Sequence, residues 1–180
     1  IVAYSQFQQS LSNTKHDAEI EAFERISTFD ALTGLANRRT FEDDLKRAWE
    51  DDANAINKQL AFLDLNGLKY TNDHYGHMSG DELIVASAKI IEKAFVSLGR
   101  CYRIGGDEFA IIIDGPVDGA FYGQSRMDGL IRHYNEEHDV PLSVARGFCP
   151  LLDSLGEKRT LSDWKMCADM SMYRNQIHSR

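Results

Sequence analysis

At 180 residues and 20.4 kDa, with 43% hydrophobic and 27% charged residues, the chain is large enough for one domain with a core, and its composition excludes wholesale disorder and a collagen-like fibre. No apolar run approaches the roughly 20 residues of a bilayer span. Twenty basic residues against 28 acidic ones leave a net charge of −8, which excludes a protein that coats nucleic acid through a basic face. Should such a chain handle a polyanion, a divalent cation is the natural source of the missing positive charge. Cys101, Cys149 and Cys167 are widely spaced and form no CxxC pair. That spacing predicts buried thiols in a reducing compartment rather than a zinc site or a disulfide framework. The chain starts at Ile1 with neither Met nor a leader pattern, and reads as part of a longer protein.

Residues 1–28 contain no glycine or proline. Tyr4, Phe7, Leu11, Thr14 and Ala18 step by three and four, and Ala22, Ile26 and Phe29 continue with a shifted phase, which predicts a helix with one narrow apolar seam. Such a helix either lies on its own domain or pairs two copies in a coiled coil that leads upstream; the second is the preferred reading. In Asp30–Arg39, DALTGLANRR, Gly34 breaks the helix and Asn37 caps a new one that carries Phe41, Leu45, Ala48 and Trp49 on one face. Leu60–Leu65 is a short apolar run, as a strand buried on both faces requires, with Asp64 set inside it at a cost.

Asn66–Gly80 is polar and holds three turn signals. Ser79-Gly80-Asp81-Glu82 has capping-box spacing, ahead of a helix with Ile84, Ser87, Ala88, Ile91, Phe95 and Leu98 on one face and Gly99 as its stop. Cys101–Ile104, Gly105-Gly106-Asp107 and Glu108–Ile113 read as strand, turn and strand, the glycines supplying positive φ. A helix over 118–138, a strand over Leu142–Phe148 and a last helix opened by Thr160-Leu161-Ser162-Asp163 complete the chain, with Trp164, Ala168 and Met172 turned inward. The order helix, strand, two helices, hairpin, helix, strand, helix predicts an α/β sandwich of the ferredoxin-like βαββαβ kind, with a mixed sheet.

Asp64 at the end of the apolar strand and Asp107-Glu108 in the hairpin are the two acidic features to explain. Adjacent strands would bring them together as a hard, oxygen-rich site of the kind that takes Mg²⁺ and serves phosphoryl or nucleotidyl transfer. Gly-Gly-Asp is also an ordinary turn, whereas turn chemistry does not account for Asp64.

RIGGDEF at Arg103–Phe109 resembles the signature hairpin of the GGDEF, or diguanylate cyclase, family. DALTGLANRR at Asp30–Arg39, LDLNGLKYTND at Leu63–Asp73 and YGHMSGD at Tyr75–Asp81 match the same family in its order and spacing, so the resemblance covers about residues 29–180 and leaves 1–28 as a signalling helix. The resemblance implies a nucleotidyl cyclase-like fold related to polymerase palms. It implies condensation of two GTP into cyclic di-GMP by two domains face to face, tethered through the N-terminal helix as a homodimer. It assigns Asp64, Asp107 and the carbonyl of Leu65 to two Mg²⁺ ions per site, with Mn²⁺ as a substitute. Asp107 is the candidate base for the 3′-hydroxyl, and Glu108 supports it. Gly67 and Leu68 offer amides to the phosphates, Lys69 a charge near the transferring phosphate, and Asn72 and Asp81 a guanine-reading pair. His77, Gly105, Gly106 and Arg180 fall in the substrate-binding set. An upstream sensor, a cytoplasmic location (as part of a longer, membrane-anchored protein in one version) and no nucleic-acid partner follow from the same resemblance.

Three positions depart from the family pattern. Val96-Ser97-Leu98-Gly99 stands where many members carry an Arg-x-x-Asp inhibitory motif, Gln176 where a phosphate-facing lysine is expected, and Asn66 where a second aspartate is common. The alternative reading is a catalytically silent module that binds GTP or cyclic di-GMP and signals through its helix.

Overall fold

Successive side chains along Lys58–Leu65 point to opposite faces of the sheet, and that alternation of direction sets the layers of the molecule. The computed structural model describes residues 28–116 and 118–178; the helix expected over residues 1–28 falls almost wholly outside them, as does Arg180. Strand β1 (Lys58–Leu65) lies inside a four-stranded sheet of order β2-β3-β1-β4, with β2 at Gly99–Arg103, β3 at Glu108–Asp114 and β4 at Val144–Pro150. Ala61, Leu63 and Leu65 point to one face, where they meet Phe109, Ile111 and Ile113. Leu60 and Phe62 point to the other, with Ala110 and Ile112.

Five helices cover those faces. Helix α1 (Arg38–Glu50) starts where Asn37 accepts from the Thr40 amide (3.0 Å), as its sequence predicts, and buries Phe41 and Leu45. Helix α2 (Leu68–Tyr75) occupies half of the polar stretch after β1, and α3 (His77–Phe95) follows at once. Helices α4 (Gly119–Glu137) and α5 (Leu161–His178) complete the set. Side chains of α3 and α4 fill the Leu63 face, and those of α1 and α5 fill the Leu60 face, where Trp164 is wholly buried. Strand, two helices, hairpin, helix, strand, helix is the order the sequence predicts. A truncation such as Ile111→Ala, at a position with no exposed surface, costs about 2–5 kcal/mol.

The fold is the expected α/β sandwich of the nucleotidyl cyclase-like kind. Its ladders are antiparallel throughout, so the mixed character predicted for the sheet shrinks to one parallel bridge, Ala36–Tyr102. Three local expectations change. Helix α3 begins at His77 behind Gly76, not at a Ser79 capping box, because Gly76 turns the chain at φ +87° and Ser79 Oγ donates back to the Tyr75 carbonyl (3.1 Å). Gly99 does not stop that helix, which ends at Phe95; it opens β2, and a Cβ there would overlap the backbone of Ile112 and Ile113. The cysteines are not three buried thiols. Cys149 on β4 and Cys167 on α5 form a disulfide across a Cα–Cα distance of 5.8 Å, leaving Cys101 free and buried, with burial pushing its thiol up to about 12. The β4–α5 crossover brings together two residues whose separation along the chain carries no pairing signal.

The bottom of the β1–β3 ladder is held by a buried cation. The Lys58 side chain, 5% exposed, donates to Asp114 at 2.5 Å and lies 3.2 Å from Asp51.

Candidate active site

The top of the same ladder is acidic. Asp64 sits directly opposite Glu108, and the Leu65 amide donates to the Asp107 carbonyl (2.9 Å). Since Leu63 and Leu65 enter the core, the residue between them must point to the other face, and Asp64 is half-buried there. Burial raises its carboxyl above the ordinary 3.8, and the negative charges of Asp107 and Glu108 raise it further. Like charges facing each other across a sheet oppose folding.

The hairpin is shaped by room rather than by handedness. Among the described residues only Gly34, Gly67, Gly76 and Gly156 have positive φ, so the left-handed turn expected of Gly105 and Gly106 is absent. Instead, a Cβ on Gly105 would overlap the Glu108 carboxylate, which folds back over it, while the amides of Ile104 and Gly105 both donate to the Glu108 carbonyl (3.0 and 3.3 Å). A cleft of about 470 Å³ opens beside Glu108 between α1 and α5, with Arg38, Phe62, Lys165 and Asp169 on its walls.

Strand β1 passes into α2 within two residues. Gly67, at φ +77°, is the N-cap of α2, so the free amides at the start of that helix lie just beyond Leu65. Asn66 is committed elsewhere: its amide donates to the Ser143 carbonyl (2.9 Å) and its side chain to Ser143 Oγ (3.1 Å). At the far end of α2, about 12 Å away for eight residues, Gly76 closes the helix and α3 returns. There the Asn72 side chain lies over Gly80, where any Cβ would overlap it. Asp81 follows at once, on a groove of about 940 Å³ shared with Leu32, Met78 and Tyr134.

One further group fixes the hairpin. Arg103 donates from Nε to the Gly105 carbonyl (3.1 Å), from Nη2 to the Gly106 carbonyl (2.9 Å) and from Nη1 to Asp30 (3.0 Å). Asp30 also accepts from the amide and hydroxyl of Thr33 (2.9 and 2.7 Å). Burial raises the Asp30 carboxyl, but the bonds from Thr33 and Arg103 outweigh it and hold the group below 3.8. The loop entering from residue 28 is thereby tied to the two glycines that carry Asp107.

The sequence profile described as "Diguanylate cyclase, GGDEF domain" matches residues 27–180. This chain belongs to the GGDEF domain family. Its GGDEF domain is 31% identical over 156 residues to diguanylate cyclase DgcS of Shewanella oneidensis, a match covering 84% of this chain and 50% of that protein. It is 36% identical over 155 residues to diguanylate cyclase DgcN of Escherichia coli, covering 83% and 37%. The chain thus spans half or less of these relatives' length. Among solved structures, the GGDEF domain of DgcB from Caulobacter crescentus in complex with c-di-GMP superposes with a TM-score of 0.70 at 28% identity, covering 86% of this chain and 92% of that one. The DgcB structure that includes its coiled coil gives a TM-score of 0.78 at 24% identity over 100% of this chain, a likeness of fold.

In this GGDEF domain the residues expected to act fall in two groups. Asp64, Leu65, Asp107, Glu108, Gly67 and Leu68 meet at the top of β1 and β3. Asn72, against Gly80, and Asp81 lie at the α2–α3 corner. Lys69 and His77 are exposed on α2 and α3, and Gly106 has open space around it. Among the described residues no three carboxylate, imidazole or thiol groups close on one point tightly enough to hold a metal. The donors nonetheless suit a hard cation: adjacent carboxylates, a strand-end carbonyl and an Asp64 whose raised proton affinity a positive charge would relieve. Arg103 and Asp30 lie within the sequence motifs, which assign neither of them a role. An arginine two residues before a Gly-Gly turn is the signal that marks such a clamp.

Proposed function

We propose that the chain is an active diguanylate cyclase, a domain that condenses two GTP into cyclic di-GMP and two pyrophosphates as one half of a symmetric pair. The observation that carries this reading is the pairing of Asp64 with Glu108, with Asp107 bonded to Leu65, at the head of an apolar sheet.

Two Mg²⁺ ions, or Mn²⁺, would be held by Asp64, Asp107 and the Leu65 carbonyl; bound there, they supply neutralisation of phosphate charge. The amides of Gly67 and Leu68 at the start of α2 bind phosphate oxygens, and Gly67 lets the backbone come close. Lys69 brings a cation to the transferring phosphate. Asp107 accepts the proton of the 3′-hydroxyl, which attacks the α-phosphate of the nucleotide held by the facing domain. Glu108 holds the hairpin shape around Gly105. Asp81 accepts from guanine N1–H and N2–H₂, Asn72 meets O6 or N7, and His77 lies along the base. Adenine lacks the donor pair, so GTP is preferred to ATP. Because each domain holds one nucleotide, the reaction needs two copies. The segment before residue 28, which the sequence pattern predicts to be helical, would tether them and raise their effective concentration. The domain works in the cytoplasm, downstream of a sensor. Val96–Gly99 offers no arginine and no aspartate to an inhibitory dinucleotide, so feedback through that position is weak.

Incubation with GTP and Mg²⁺, followed by chromatography of the products, tests the proposal. Cyclic di-GMP that disappears in Asp107→Ala is the expected result. Saturable GTP binding without turnover would favour the silent module, the reading that Gln176 recommends.

A further inference from the structure

The Cys149–Cys167 disulfide joins the last strand to the last helix, and no step above uses it. Helix α5 does not need it to find its place. Gly147 lets the α5 backbone at Ala168 and Met172 lie directly on β4, where a Cβ would collide with it. The buried Trp164 donates from its indole to the Cys149 carbonyl (2.9 Å), and Asn175 donates to the Arg146 carbonyl (2.9 Å). None of these contacts uses a sulfur, so the bond is not the sole tie between α5 and β4.

The two sulfurs differ in access. Cys149 has no exposed surface. Cys167 is half-buried and lines an open cleft of about 430 Å³ with Phe148, Met170, Arg159 and Arg174. Asp163 also borders that cleft, but its carboxylate is engaged by the Thr160 hydroxyl (2.7 Å). Arg159, whose Nε donates to the Pro150 carbonyl (3.3 Å), and Arg174 line the same cleft as the reachable sulfur, and their positive charge favours the thiolates that exchange requires. Cys101 does not compete, since it is buried and its proton is held up to about 12.

We propose that Cys149–Cys167 is a thiol–disulfide exchange site, read by a dithiol reductant that enters at Cys167, and that its state tunes how firmly α5 meets the nucleotide. The thiolate of the dithiol attacks Cys167 Sγ, the S–S bond breaks, and Cys149 leaves as a thiolate that takes up a proton. The second thiol of the reagent then displaces Cys167. Two protein thiols and one oxidised reagent result, two electrons having passed to the protein. The link to nucleotide rests on the cyclase reading, because Lys165 and Asp169 of α5, on either side of Cys167, wall the cleft beside Glu108. The exchange itself does not rest on it.

The test equilibrates the 180-residue chain at set ratios of reduced to oxidised dithiothreitol. The readouts are alkylated thiols counted after unfolding, Tm, and GTP affinity with Mg²⁺ by calorimetry. Oxidising buffer should leave one labelled thiol of the three cysteines and reducing buffer all three. Reduction should lower Tm by roughly 5–10 °C, as opening a loop of this size does. It should weaken GTP binding about threefold. Cys167→Ser should show the reduced values of Tm and affinity at every ratio. Three labelled thiols at all ratios would overturn the exchange site. A pair that titrates while GTP affinity stays constant would overturn its coupling to the nucleotide. Loss of GTP binding in both states would refute the cyclase reading and the coupling with it, while label count and Tm still decide the exchange site.

Discussion

Strands β1 and β3 form one ladder whose two ends carry opposite electrostatics. At the bottom Lys58 faces Asp114 and bonds to it at 2.5 Å, with Asp51 alongside. At the top Asp64 faces Glu108, with Asp107 beside them, and burial first, then those two charges, raise the proton affinity of Asp64. Backbone, register and neighbouring apolar residues are shared. The lower pair is what folding selects, a buried cation with partners. The upper one is what folding would remove, and its persistence marks a place where charge is kept for something that arrives later.

The largest effect that would sharpen the contrast is at the top. Asp107→Ala should cut cyclic di-GMP formation by about 10³-fold, as the loss of a positioned base does, with Tm unchanged or higher; product assay and thermal melt read both at once. A comparable fall in Tm would mean that the acidic end is structural after all. At the bottom, Lys58→Met should leave kcat/KM for GTP unchanged and cost about 2 kcal/mol, a Tm fall of roughly 4–8 °C, because it strands carboxylates beside an apolar strand. Activity lost beyond the unfolded fraction would break the division between the two ends.

Arg103 belongs to both worlds, since it ties the acidic hairpin to Asp30. Arg103→Ala should lower kcat about tenfold with a smaller change in KM. Arg103→Lys should rescue little, because a single ammonium cannot serve two carbonyls and a carboxylate in fixed directions. Full rescue by lysine would reduce the clamp to a simple ion pair.

The smallest effect concerns pH. Asp64 binds its proton more tightly folded than unfolded, so its contribution to stability is present below the ordinary 3.8 and is lost as pH rises through the raised value. Asp64→Asn should therefore raise Tm at neutral pH, by roughly 2 °C given solvent screening, and the gain should vanish in acid. Asp30 has the opposite sign: its contribution holds above 3.8 and is lost as pH falls through its lowered value. Melts of both asparagine variants from acid to neutral pH separate the two.

Much of this was legible in residue order because the deciding signals are local. An apolar run makes β1, Asn37 caps α1, and Gly-Gly-Asp bends the hairpin. Helix α2 is counted in the predicted order but its bounds do not show in the polar stretch, because its two ends are glycines, Gly67 and Gly76, which read as turns; only Thr71 among its side chains is buried. Gly99 looked like a helix stop because the crowding that requires it comes from Ile112 on the next strand. The disulfide and the Arg103–Asp30 bond join residues 18 and 73 apart along the chain, and the fold alone brings them together. The candidate site residues stand in the sequence as residue types; that the length of α2 separates the carboxylates from Asn72 and Asp81 does not show there.

The central claim is that the like-charged end of the ladder is kept to grip a cation beside GTP. Carbon-13 NMR of the Asp64 carboxyl, titrated with and without Mg²⁺, tests it most directly. The account predicts a midpoint above 3.8 in metal-free buffer that drops below it when Mg²⁺ is added. An ordinary midpoint that Mg²⁺ leaves unmoved would contradict it.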